Sequence, residues 1–420
     1  MGIFLSVLAI SIVLLVLFPL QNTSHLHSYV SKDKSNMNNE NGVVEASLQI
    51  DTIKMVKNAE IIGDMTGFFE YVGTAAVGQH FKVVGENDRY FYVNFGRGTG
   101  FIKKEDAVKL KLGNTGQVPQ SELTNESFIT KKDVVVYDSN LNYDLGLIRE
   151  NMRFPIIKET DNWYVVDFIG QLGYVEKEKV VKDNGVVAIM YHHFLKKEEN
   201  KKFLEASTTI QPSEFEWQMK YLKEESYVTI DMNTLEKYLL NRINLPGKVV
   251  VITMDDGLKS NVVYAAPVLR KYGFKANIFL ITSRVKEHDQ SWNADTIVSV
   301  STHEMRANKD VFAYHGHTHE MHYFNGRLGA MNFLPYNEAL ADLKGNMKFL
   351  ADSGFDTTHF AYPFGSNFIQ SQSLLRDSGF TTAFTTRKGY NKVGDNPLLL
   401  KRWNIGPGLA IGEFEAILNR

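Results

Sequence analysis

The sequence predicts a multidomain chain: two small all-β barrels followed by an irregular (β/α) barrel of about seven strands. Three observations predict it. A set of strand-like segments recurs once without a gap, the second copy beginning 73 residues after the first, at Phe154 against Phe81. Beyond residue 184, apolar strand-like runs alternate with amphipathic helical ones, the pattern of a largely parallel sheet. Ahead of both, residues 3–20, IFLSVLAISIVLLVLFPL, are apolar apart from Ser6 and Ser11, and a polar tail follows.

The apolar run sets the first boundary. Its length suits a membrane-spanning helix or a long signal-peptide core. No small-x-small cleavage site follows in QNTSHLHSYV, which favours an uncleaved anchor over a cleaved signal. The expected organisation is an anchor or signal segment at 1–22, a flexible linker at 23–47, repeat copies at 48–112 and 113–183, and a final domain at 184–420. The expected location is outside the cytoplasm, membrane-anchored, or secreted if the segment is cleaved. A net charge of −2 provides no global field toward nucleic acid. The absence of cysteine excludes disulfides, thiolate nucleophiles and Cys-based zinc sites, so any metal must be held by His and carboxylates.

In the repeats, Phe81 pairs with Phe154, Tyr90 with Trp163, Phe95 with Phe168 and Gly100 with Gly173. Each copy shows short strands of alternating polarity and a Gly before the last one, which suggests a small barrel. The layout W/Y-x-x-V…G-[FY]-[IV] resembles bacterial SH3-like domains. That resemblance implies a cell-wall-binding module, or else a spacer.

The last domain is built from VVAIMYHH, KVVVITMDD, ANIFLI, VFAYHGHTH, HFAYPFG, TTAFTT and LLLKRWNI. Helix signals lie between them: a capping box from Ser213 to Glu216, and glycines at 273 and 354 placed to end helices. Chemistry in such folds gathers where strands end. One strand ends in Asp255-Asp256-Gly257. Asp-Asp-Gly is good turn chemistry. At a strand-to-loop bend, however, both carboxylates can reach one site, one binding metal and the other free as a base. Four of the twelve histidines fall between residues 314 and 324. His317 and His322 with one carboxylate leave open positions for water and substrate, the pattern of a catalytic divalent site. His315 and His319 share the parity of His317 and fall beside it, as neighbours or solvent-facing groups.

Together these motifs resemble NodB-homology polysaccharide deacetylases, carbohydrate esterase family 4, and most of all the exopolysaccharide-deacetylase-like branch. Thr253-Met254-Asp255-Asp256-Gly257 matches the first motif, His317-Thr318 with His322 the longer form of the second, and Ala361-Tyr362-Pro363-Phe364-Gly365 the third. The resemblance implies Asp255 as catalytic base and Asp256, His317 and His322 as ligands of one divalent ion, zinc first, with cobalt or another divalent ion possible. It implies the Phe364 backbone N–H as oxyanion donor. Two departures stand out. The third motif lacks its Arg, and Arg402 at the last strand is the candidate replacement. The C-terminal Leu-x-x-His motif is absent, and His192 is the candidate general acid, with His193 pointing away. Tyr191, Tyr362, Phe364 and Trp403 offer flat surfaces for pyranose rings, or barrel packing.

The implied activity is metal-dependent N-deacetylation of N-acetylglucosamine units in a cell-wall or cell-surface polysaccharide, peptidoglycan first. One alternative is a deacetylase of exopolysaccharide, poly-N-acetylglucosamine. The other is a non-catalytic wall-binding protein on the same scaffold, against which both carboxylates and both histidines stand intact.

Overall fold

Residues 186–191 and 249–254 read VVAIMY and VVVITM, and all of their side chains are buried. Strands apolar on both faces belong in a parallel sheet covered from both sides. The computed structural model, which describes residues 51–110 and 123–419, places them side by side as β1 (Val186–Tyr191) and β2 (Val249–Met254). β3 (Ala276–Leu280), β4 (Phe312–Gly316), β5 (His359–Ala361) and β6 (Thr382–Phe384) continue the sheet in order, each parallel to the one before. The short β7 (Trp403–Asn404) runs parallel to β1 on its other side. Leu400 bridges to Phe384, so the segment from Leu400 to Asn404 joins β6 to β1 and closes a barrel-like sheet.

The sheet has nine strands, not about seven. The additions are two-residue pieces, Val228–Thr229 beside β2 and Tyr390–Asn391 antiparallel to β1. They are too short to leave a periodic signal in the sequence. The expected capping box is also displaced. The helix Pro212–Glu224 begins at the proline, whose fixed φ suits the first helical position, and Glu214 accepts from the Gln211 N–H at 2.8 Å. Gly273 ends its helix at φ 73°, as the sequence predicts.

The two repeat copies carry matching elements. His80–Lys82, Tyr90–Phe95, Gly98–Lys103 and the 3₁₀ turn Lys104–Asp106 recur as Arg153–Pro155, Trp163–Phe168, Gln171–Glu176 and Lys177–Lys179. Each copy keeps a three-stranded sheet of its own, and the two copies are joined. Gly146, Leu147 and Ile148 pair with Ala75, Thr74 and Gly73, which makes one ten-stranded sheet across both copies. Equivalent phenylalanines meet across the join. Phe81 packs on Phe168 at 6.1 Å between ring centroids, and Phe154 on Phe95 at 5.2 Å. A unit this small buries little apolar surface alone, and pairing with its copy supplies the missing half of the core.

This body is fastened to the barrel at the ends where strands begin. Asn244 accepts from the Arg97 N–H at 2.7 Å and donates to Phe95 O at 2.8 Å. Buried Arg153 pairs with Asp183 at 2.7 Å and donates to the carbonyls of Pro246 and Gly247, just before β2. The opposite, C-terminal strand ends are therefore left clear of it. Residues 1–22 and the linker 23–47 lie outside the described residues, and no helix among the described residues is long and apolar enough to cross a membrane.

Candidate metal centre

At the end of β2 the chain turns. Asp256 adopts φ 70° and Gly257 φ 69°. In an extended strand, neighbouring side chains point to opposite faces. The left-handed conformation at Asp256 breaks that alternation, and both carboxylates reach the same end of the barrel. A non-glycine residue held at positive φ stores backbone strain, a feature that clusters at functional sites.

Asp256 faces the two histidines expected with it. Its Oδ1 lies 3.6 Å from His317 Nε2 and 3.3 Å from His322 Nε2. One donor atom from each of the three residues lies within 4.8 Å of the others. His317 Nδ1 is 2.7 Å from the Ala361 carbonyl, which leaves Nε2 as the free lone pair. Burial would raise the Asp256 carboxyl, but the hydrogen bond and charge of His317, with His192 and His322 beside it, outweigh it and hold it well below the ordinary range. Burial, with His317 beside it, pushes His322 down to about 4. An ionised carboxylate and neutral imidazoles are the protonation states that ligate. The donor set fits a divalent cation.

Asp255 is held differently. Arg402 grips it with both ends of the guanidinium, Nη1 to Oδ1 at 2.7 Å and Nη2 to Oδ2 at 2.6 Å. Arg402 is itself wholly buried, donates to Thr385 O at 2.9 Å, and lies between the rings of Phe279 and Phe384. Burial raises the Asp255 carboxyl, but Arg402, together with His317 and His192, more than offsets it and the group stays below its usual range. His192 follows β1, with Nε2 3.9 Å from Asp255 Oδ2. Burial pushes its pKa down against the pull of Asp255.

Phe364 follows β5 at φ 59°, and its ring lies 4.5 Å from that of His322. Tyr191 and Tyr362 are buried and offer no surface to a ligand, and Trp403 is half-buried with its indole N–H on Gly389 O. For Tyr191, burial follows from the strand pattern, since β1 is covered on both faces. The sequence missed Phe324, an exposed ring stacked on Phe364 at 3.8 Å. It sits in a two-residue hairpin arm opposite Leu328-Gly329, too short to register as a strand.

His315 and His319 turn to other partners. His315 Nε2 lies 3.2 Å from Asn277 Oδ1, and His319 Nδ1 lies 2.9 Å from Thr282 Oγ1. His193 turns away and packs edge-on against Phe203. Burial pushes His193 down to about 4, against an ordinary value of about 6.5. As pH falls through that window the unfolded chain takes up a proton that the folded chain refuses, so stability falls. The expected loss from this group is on the order of 3 kcal/mol between about pH 6.5 and pH 4. His193→Phe should flatten that part of a urea-midpoint curve. An unchanged acid slope would remove His193 as its source.

Residues 242–383 match the family model described as polysaccharide deacetylase. The chain is 27% identical over 216 residues to the YxkH protein of Bacillus subtilis (strain 168), covering 50% of this chain and 71% of that one. It is 25% identical over 222 residues to the poly-beta-1,6-N-acetyl-D-glucosamine N-deacetylase of Staphylococcus aureus (strain MRSA252), covering 50% of this chain and 74% of that one. Among solved structures, IcaB from Ammonifex degensii aligns with a TM-score of 0.48 and 27% identity, over 56% of this chain and 96% of that one. Residues 242–383, the stretch that matches the polysaccharide deacetylase model, hold Asp255, Asp256, His317, His322 and Phe364.

Proposed function

We propose that this domain is a metal-dependent N-deacetylase acting on N-acetylglucosamine units of a cell-surface polysaccharide. The observation that carries the reading is the division of labour between two adjacent carboxylates. Asp256 faces two imidazoles, while Asp255 is held ionised by Arg402.

An acetamide is a poor electrophile. Asp256, His317 and His322 would hold a divalent cation, zinc in our reading, which would supply Lewis acidity toward the carbonyl and toward water. Asp255 takes the proton of the attacking water, with Arg402 fixing the plane of its carboxylate. The Phe364 N–H donates to the developing oxyanion. His192 donates a proton to the leaving amine from its place beside Asp255. Water adds across the C–N bond, and the products are acetate and a free glucosamine unit.

Two polymers compete as substrate. The name of the Staphylococcus aureus relative favours poly-β-1,6-N-acetylglucosamine. The paired repeats, read as SH3-like modules, favour peptidoglycan. We place the protein outside the cytoplasm, anchored through residues 3–20. Acetate release from purified peptidoglycan and from poly-β-1,6-N-acetylglucosamine, each with and without chelator, tests the reading. Chelator-sensitive release from one polymer identifies the substrate. No release from either polymer under metal-replete conditions contradicts the proposed activity.

A further inference from the structure

Four residues, Thr318 to Met321, separate the two ligating histidines. Thr318 adopts φ 73°, so the chain leaves β4 sharply. The next three N–H groups are those of His319, Glu320 and Met321. All three go to one side chain. Asp342 accepts from His319 at 2.8 Å, from Glu320 at 2.6 Å and from Met321 at 3.1 Å. One carboxylate thus serves three successive N–H groups, through charge-assisted hydrogen bonds.

Asp342 lies on the helix Tyr336–Asp352. One turn along the same face, Asn346 donates to Thr318 O at 2.6 Å. Between them Gly345 faces the His319 ring, with room for a Cβ only at van der Waals contact, 3.7 Å. From the other side, Ser283 N donates to His319 O at 3.3 Å and Thr282 N to Thr318 O at 3.1 Å. Among the described residues no Lys or Arg pairs with Asp342, so its charge is met by the loop's own N–H groups.

The two ligands thus have separate supports. His317 stands at the end of β4, with Nδ1 beside Ala361 O. His322 stands at the end of the loop that Asp342 gathers, next to Met321, whose side chain is buried. We propose that Asp342 is a positioning residue, which holds the 319–321 loop so that His322 reaches the metal that His317 and Asp256 share. The proposal rests on the metal-centre reading above.

Metal affinity and cobalt absorption test it without substrate. Apo-protein is titrated with zinc in competition with a chelating dye, and with cobalt, for the wild type, Asp342→Asn, Asp342→Ala and His322→Ala. Asp342→Asn is nearly isosteric, and keeps the fold available if Asp342→Ala loses it. The expected result is zinc affinity about 10–100-fold weaker in the Asp342 variants, the range seen for outer-shell partners of metal ligands. Their cobalt spectra should shift toward that of His322→Ala. A carboxylate that merely supports the fold would lower the melting temperature and leave affinity and spectrum unchanged, and that outcome overturns the proposal. A wild type that binds neither metal defeats the metal-centre reading itself, which is a different failure.

Discussion

Asp255→Asn is expected to retain its metal and lose turnover by about two to four orders of magnitude, the contribution of a positioned general base. The substitution preserves shape. It also preserves one acceptor for Arg402, whose two contacts with Asp255 are 2.7 and 2.6 Å. It removes the site that takes the water's proton in the proposed reaction. Because both Asp255 oxygens are taken by Arg402, metal content should stay at the wild-type level. The loss should appear in kcat more than in KM, since the interaction is made in the transition state. A variant that lost its metal would place Asp255 among the ligands.

Arg402→Met is expected to damage both fold and rate. Arg402 is wholly buried, and so is its partner. Removing one member of such a pair strands the other charge in a poor dielectric, at a cost of about 3–5 kcal/mol. Arg402→Lys keeps the charge but not the two-pronged fork, and should fall between in stability. In both variants Asp255 loses the contact that fixes its plane, and kcat should drop. Urea denaturation and steady-state kinetics measure the two effects. An Arg402→Met protein of wild-type stability and rate would show that the pair neither supports the fold nor orients the base.

The site was legible where it depended on residue type at a fixed spacing. Asp255-Asp256 after an apolar strand, and His317 with His322, stand out because few residues hold a metal or move a proton. Arg402 was legible only through an absence, the missing Arg of the third motif, and lies 147 positions from the carboxylate it holds. Asp342 left no signal. Its role lies in three backbone N–H groups that any sequence would supply, and only the fold brings the helix over them. Phe324 was hidden by the brevity of its hairpin. The repeat was plain in the sequence, but the joining of its copies was not, because strand pairing between Thr74 and Leu147 is written in no local pattern.

The central claim is that hydrolysis depends on a cation at Asp256, His317 and His322. The most direct test is acetate release, from whichever of the two polymers the metal-replete protein deacetylates, by protein stripped of metal, followed as zinc is added back. The account predicts no release from the stripped protein and full recovery at one equivalent per chain. Full activity in the stripped protein, or no recovery with zinc or cobalt, would contradict it.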